Sequence, residues 1–192
     1  ESVYAIRQGR TELDVPHKNT FCTFVYPSVG PNTYQKVGRA ILDQNLIIPT
    51  AEQTASLLHA VYCGPEDFTQ APETLRVKKI MRDNWIWSFN QNLWTEKGVY
   101  VVSDNTAQGL LEKLNQDDLE RRLVDASDIQ GVQWSKDNCV RFAPKGSYIL
   151  KEQSSNQLKN NGFVIASYGV DGAQQLAAIA AKINKTPYVW GL

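Results

Sequence analysis

The stretch that decides the fold class is Val132-Gln133-Trp134-Ser135-Lys136-Asp137-Asn138-Cys139-Val140-Arg141-Phe142. Apolar and β-branched residues flank Lys136-Asp137-Asn138, a run of turn formers, so the segment reads as a β-hairpin. A hairpin joins antiparallel neighbours, whereas a doubly wound sheet needs a helical crossover between parallel strands. Helical patterns occur elsewhere in the chain, but without strict strand–helix–strand repetition. The expected architecture is therefore α+β, a mixed or antiparallel sheet packed with several helices.

Working outward, Ser154 or Ser155 starts a short helix that ends near Gly162. Residues 163–168 (Phe-Val-Ile-Ala-Ser-Tyr) read as a strand, and Gly169 to Gly172 as a turn into an alanine-rich helix over 172–183. The tail Pro187 to Trp190 reads as a last short strand. Toward the N-terminus, residues 98–103 form an apolar run expected to be a strand buried on both faces, followed by helices around 106–114 and 117–125. Thr50 and Gln53 have the spacing of a capping box, and Gly64-Pro65 supplies a stop, which predicts a helix between them. Helices are also expected over 32–44 and 73–83, a loop over 65–71, and strands over 2–7 and 20–26. No repeat, low-complexity tract or linker divides residues 1–192, so a single globular domain is expected.

Charge narrows the function classes. The 20 basic residues balance 20 acidic ones, so nucleic acid is not expected as a partner, since phosphate binding draws on a basic excess. No run of 18 or more apolar residues suggests a membrane span. Glu1 to Arg10 is polar and mixed, unlike a secretion signal. Zero net charge favours association near neutral pH, which makes a homo-oligomer an outcome to test. Cys22, Cys63 and Cys139 are odd in number and widely spaced, a pattern that fits neither a disulfide framework nor a structural zinc site. That usage points to a reducing, cytoplasmic compartment. The sequon Asn184-Lys185-Thr186 is followed by Pro187 and carries no weight.

Four residue sets are candidates for chemistry or binding. Cys22 is a candidate nucleophile, with His59 or His17, the chain's two histidines, as the base that forms its thiolate. Against this, a free cysteine in a strand is most often a small buried apolar group. Glu12, Asp14 and His17 offer oxygen and nitrogen ligands for a divalent ion, but acids beside histidine commonly form a solvated turn, so no metal is expected. Gly169, Asp171 and Gly172 lie at a strand-to-helix junction that can present backbone donors to a phosphate-bearing molecule. The full glycine-rich motifs are absent, and Asp171 would repel an anion.

The fourth set is the aromatic run Trp85, Trp87, Phe89 and Trp94, interleaved with Asn90, Gln91 and Asn92. Rings supply contact area and amides supply hydrogen bonds, a combination suited to a protein or small-molecule partner. Aromatics also dominate ordinary cores. The leading expectation is a non-enzymatic binding or interaction module using residues 85–94. The alternatives are a small thiol-dependent hydrolase or transferase at Cys22, and phosphate-ligand binding at Gly169–Gly172. No cofactor is expected, because no cofactor motif is complete.

Overall fold

A computed structural model describes residues 4–7, 10–83 and 88–184. It has two antiparallel sheets with helices packed on and between them, which is an α+β fold. The first sheet is a meander of β1 (Tyr4–Arg7), β2 (Arg10–His17) and β3 (Thr20–Tyr26). Helices α1 (Tyr34–Asp43), α2 (Ala51–Cys63), α3 (Glu66–Thr69) and α4 (Pro72–Asp83) follow.

Next come β4 (Gln91–Trp94), β5 (Gly98–Val102), α5 (Gln116–Arg122), β6 (Ser127–Ile129), β7 (Val132–Trp134) and β8 (Val140–Pro144). These strands build a five-stranded sheet in the order β4-β5-β8-β7-β6. The chain then forms α6 (Ser155–Lys159) and α7 (Gly162–Lys182).

The hairpin read from residues 132–142 is present as β7 and β8, with Trp134 opposite Arg141. The run at 98–103 supplies β5, an interior strand of the second sheet between β4 and β8. Its five strand residues are all buried because alternate side chains enter two different cores. Val99 and Val101 face α7 with Phe163, Val164 and Ile165, while Tyr100 and Val102 face α5 with Leu119. Each such buried aliphatic side chain is worth roughly 1.5–3 kcal/mol.

Local punctuation sets the helix ends. Thr50 Oγ1 accepts from the Gln53 backbone N–H at 3.0 Å, and Gln53 Oε1 accepts from the Thr50 N–H at 2.9 Å, closing the expected capping box. Ser154 and Gln157 close a second one at the start of α6.

Four segments depart from the sequence reading. Glu12, Asp14 and His17, read as a solvated turn, belong to strand β2: Thr11, Leu13 and Val15 are buried and alternate with more open Glu12, Asp14 and Pro16. Residues 106–111 form turns instead of a helix, and 66–69 a helical turn instead of loop.

Most consequentially, 163–168 is helix, not strand. Asn161 Oδ1 accepts from the backbone N–H groups of Phe163 and Val164, which nucleates a helix there. Gly162 through Ser167 are buried on every side, so no periodicity could separate helix from strand. The helical path of α7 breaks at Gly169, whose φ of 73° and ψ of 170° fall in a region essentially reserved for glycine. The expected tail strand at 187–190 lies outside the described residues.

Helix α7 crosses one face of the five-stranded sheet and packs against α2, which in turn covers the three-stranded sheet. The α2–α7 contact is close because small residues meet there: a side chain on Gly172 would approach Ala55 Cβ to 3.4 Å and Tyr168 Cβ to 2.8 Å. Among the described residues, no helix is long and apolar enough to cross a membrane.

Candidate functional site

The β2–β3 hairpin collects the features that bear on function. Its register runs without interruption from Thr11 opposite Tyr26 to His17 opposite Thr20, and Lys18, at φ 52°, closes the turn. Alternation sends Leu13, Val15, Cys22 and Phe24 toward α2, α3 and α4, where they meet Leu57, Ala60, Phe68 and Val77. The opposite face points outward. There Pro16 and Phe21 pair across the strands, and Phe21 is 66% exposed. Next to them, Thr23 Oγ1 donates to Asp14 Oδ1 at 2.5 Å.

His17 shares the inward phase, so its ring turns away from the outer face. His17 Nδ1 and Ser56 Oγ of α2 share a hydrogen bond of 2.8 Å, and the Gln175 amide of α7 lies 3.5 Å from the same hydroxyl. Burial, then the neighbouring Lys18 charge, lowers the His17 pKa below its ordinary value, while Glu52 and Asp171 oppose that shift. The imidazole is therefore neutral near pH 7. A serine–histidine contact of this length has nucleophile–base geometry. Ser56, however, is only 3% exposed inside a helix–helix contact, so its hydroxyl is closed to a substrate. The pair clips the hairpin tip to α2 and α7.

The other expected residues fall as follows. Cys22 sits opposite Val15 in the apolar layer, and burial raises its thiol pKa, which disfavours the thiolate a nucleophile needs. Among the described residues no hydrogen bond joins Cys22 to either histidine. His59 is half-buried on α2 with its pKa lowered by burial. Glu12 and Asp14 alternate to the face opposite His17, so the three do not converge. Among the described residues no group of three or more histidine, cysteine or acidic side chains could hold a metal.

Gly169, Asp171 and Gly172 are brought close to this seam by α7. A side chain on Gly169 would meet Glu52 Cγ at 3.3 Å, and Asp171 is exposed. Arg141 Nη2 donates to Glu52 Oε1 at 2.7 Å, with the arginine side chain 5% and the glutamate 17% exposed. Arg141 also donates from Nη1 to Ala166 O and from Nε to Asn138 O, and its guanidinium lies 4.5 Å from the Trp134 ring centre. A carboxylate thus already stands at the helix break, and its partner arginine is fully engaged.

Trp85 and Trp87 lie outside the described residues. The described part of the aromatic run turns inward. Phe89 is buried against Tyr34, and Trp94 packs its ring 4.9 Å from Phe163 and 5.7 Å from Tyr148. Asn90 Nδ2 donates to Ser167 O at 2.9 Å, and Gln91 Nε2 to Gly109 O. The Oδ1 atoms of Asn90 and Asn92 are buried without a hydrogen-bond partner among the described residues.

A shallow depression of about 290 Å³ lies on the α5 side of the second sheet, lined by Lys97, Tyr100, Glu120, Gln133 and Phe142 among others. Two of its polar groups already meet: Tyr100 Oη donates to Glu120 Oε1 at 3.2 Å, and Gln116 Nε2 donates to the same oxygen at 3.0 Å.

Ser56, Glu52, Gln175, Arg141 and Phe21 were not singled out from the sequence. Only Phe21 carried a local signal, because strand alternation over 20–26 already separates Phe21, Thr23 and Val25 from Cys22 and Phe24. Comparison with known families, curated proteins and solved structures finds no match to this chain, so its functional reading rests on the geometry of the hairpin and its surroundings.

Proposed function

We propose that this protein is an interaction module that takes up an extended segment along the outer edge of β3. The single observation carrying the proposal is the state of that edge. Thr20-Phe21-Cys22-Thr23-Phe24-Val25-Tyr26 has seven residues, no charged side chain and no proline, and its pairing with β2 has no bulge. Among the described residues no strand lies beyond it.

Exposed edges template pairing with other chains, and proteins normally blunt them with charge, proline, bulges or short length. The other edges here follow that habit: β1 and β4 have four residues each, and β6 has three, including Asp128. The β3 edge has none of these devices and adds the exposed Phe21. Strand addition supplies backbone hydrogen bonds for affinity and alternate side chains for selectivity.

The test uses a synthetic peptide of sequence Thr-Phe-Ser-Thr-Phe-Val-Tyr flanked by lysines. Titrated into the isotope-labelled protein, it should shift the amides of residues 20–26 in a saturable way and slow their hydrogen exchange. Thr23→Lys should weaken binding at least tenfold. A peptide that leaves the β3 amides unmoved at millimolar concentration, with the protein dilute enough to be monomeric, overturns the proposal.

A further inference from the structure

We infer that the segment paired with β3 is the β3 strand of a second copy of this chain, antiparallel about a two-fold axis through Thr23. The inference rests on the strand-pairing reading above and names its partner.

The first argument is register. A two-fold axis at Thr23 sets Thr23 against Thr23 of the second copy, Phe21 against Val25, Cys22 against Phe24 and Thr20 against Tyr26. Cross-strand partners must point to the same face, and these do. Phe21, Thr23 and Val25 lie on the outward phase, while Cys22 and Phe24 lie on the phase that meets α2 to α4. Aromatic–β-branched and threonine–threonine pairs are among the favourable cross-strand pairs. Phe21, 66% exposed, gains an apolar neighbour in Val25. Cys22 and Phe24 are only partly buried although they face the helices, so each keeps surface for a neighbouring strand to cover.

The second argument is charge. The seven β3 residues bring no like charges into opposition. The nearest outward acids, Glu12 and Asp14, lie on β2, one strand back. In the pair, β2 and its counterpart stand three strand spacings apart, about 14 Å. That exceeds the Debye length of about 8 Å at physiological salt, so their repulsion is screened. The chain's 20 basic and 20 acidic residues add no long-range repulsion between copies.

The experiment measures the oligomeric state of the full chain by sedimentation from 1 to 300 μM, alongside disulfide trapping in a Cys22→Ser background. The inference predicts a concentration-dependent dimer. It also predicts that oxidised Thr23→Cys forms a covalent dimer through residue 23, mapped by mass spectrometry, while Thr20→Cys does not. Phe21→Lys, an exposed position that leaves the core untouched, should raise the dimer dissociation constant at least tenfold. A dimer that persists in Phe21→Lys, or that traps elsewhere, overturns the inference. A chain monomeric at 300 μM whose β3 amides are still protected by the peptide overturns self-pairing and leaves strand pairing to another extended partner. If neither peptide nor second copy engages β3, both readings fall.

Discussion

The two sheets share one antiparallel geometry and meet opposite fates. In the five-stranded sheet, β5 is buried on both faces, α5 covers one side and α7 the other. The polar groups around α7 are drawn into that closure: Arg141 holds Glu52, Ala166 O and Asn138 O at once, and Asn90 holds Ser167 O. In the three-stranded sheet one face rests on α2 to α4, while the other carries Pro16, Phe21 and Thr23 in the open and ends at the unguarded β3 edge. The contrast teaches that covering both faces of a sheet uses up its side chains. A sheet covered on one face keeps its outward side chains in the open, and the length and composition of its edge strand set how open its backbone is.

The largest expected effect lies in the closed region. Arg141→Leu leaves the Glu52 carboxylate without its cation and two carbonyls without their donors, which should lower stability by about 3–5 kcal/mol in urea unfolding. The double variant Arg141→Leu, Glu52→Leu should recover part of that loss, because the stranded charge is gone. A loss below 1 kcal/mol for the single variant would mean that this pair is not what joins the five-stranded sheet to α2.

A smaller effect is expected at the helix break. Gly169→Ala places a side chain in a glycine-only conformation and presses on Glu52 Cγ, and should cost about 1–3 kcal/mol by the same measurement.

The smallest effect belongs to the open sheet, through His17. Its folded pKa lies below the ordinary 6.5 because burial, then Lys18, disfavours the charged ring; burial does the same to His59. The unfolded chain therefore takes up more protons as pH falls past 6.5. The stabilising contribution is complete above that value and is lost as pH falls through the folded values. The thermal midpoint should drop modestly between pH 7.5 and 5.5. His17→Gln should flatten part of the drop, with the remainder due to His59. An unchanged profile in His17→Gln would show that the Ser56 clip does not sense protonation.

Much of the framework was legible locally. The hairpin at 132–142, the capping box at Thr50, the helix start at Ser154 or Ser155 and the apolar run at 98–103 each depend on residues within a few positions of one another. Residues 163–168 read as a strand because a segment buried on every side shows no periodicity, while the Asn161 cap makes them helical. Strand β2 was missed although Thr11, Leu13 and Val15 alternate, because Pro16 and the flanking acids resemble a turn. Among the candidate site residues, Cys22 is legible both as a thiol and, through strand alternation over 20–26, as a residue of the apolar layer. His17 stood out as a candidate base for Cys22, yet its partner Ser56 is 39 residues away and on another element.

Sequence alone determined the α+β class, most helix starts and stops, and the absence of a charge excess, because each follows from composition or from contacts between near neighbours. Tertiary structure alone decided that Arg141 meets Glu52 across 89 residues, that Ser56 reaches Gln175 across 119, and that β3 is an edge with no strand beyond it among the described residues. Those outcomes depend on which helix lies over which face of which sheet. That choice is made by the packing of small residues along α2 and α7 and by the burial of two cores at once, neither of which leaves a local pattern in the chain.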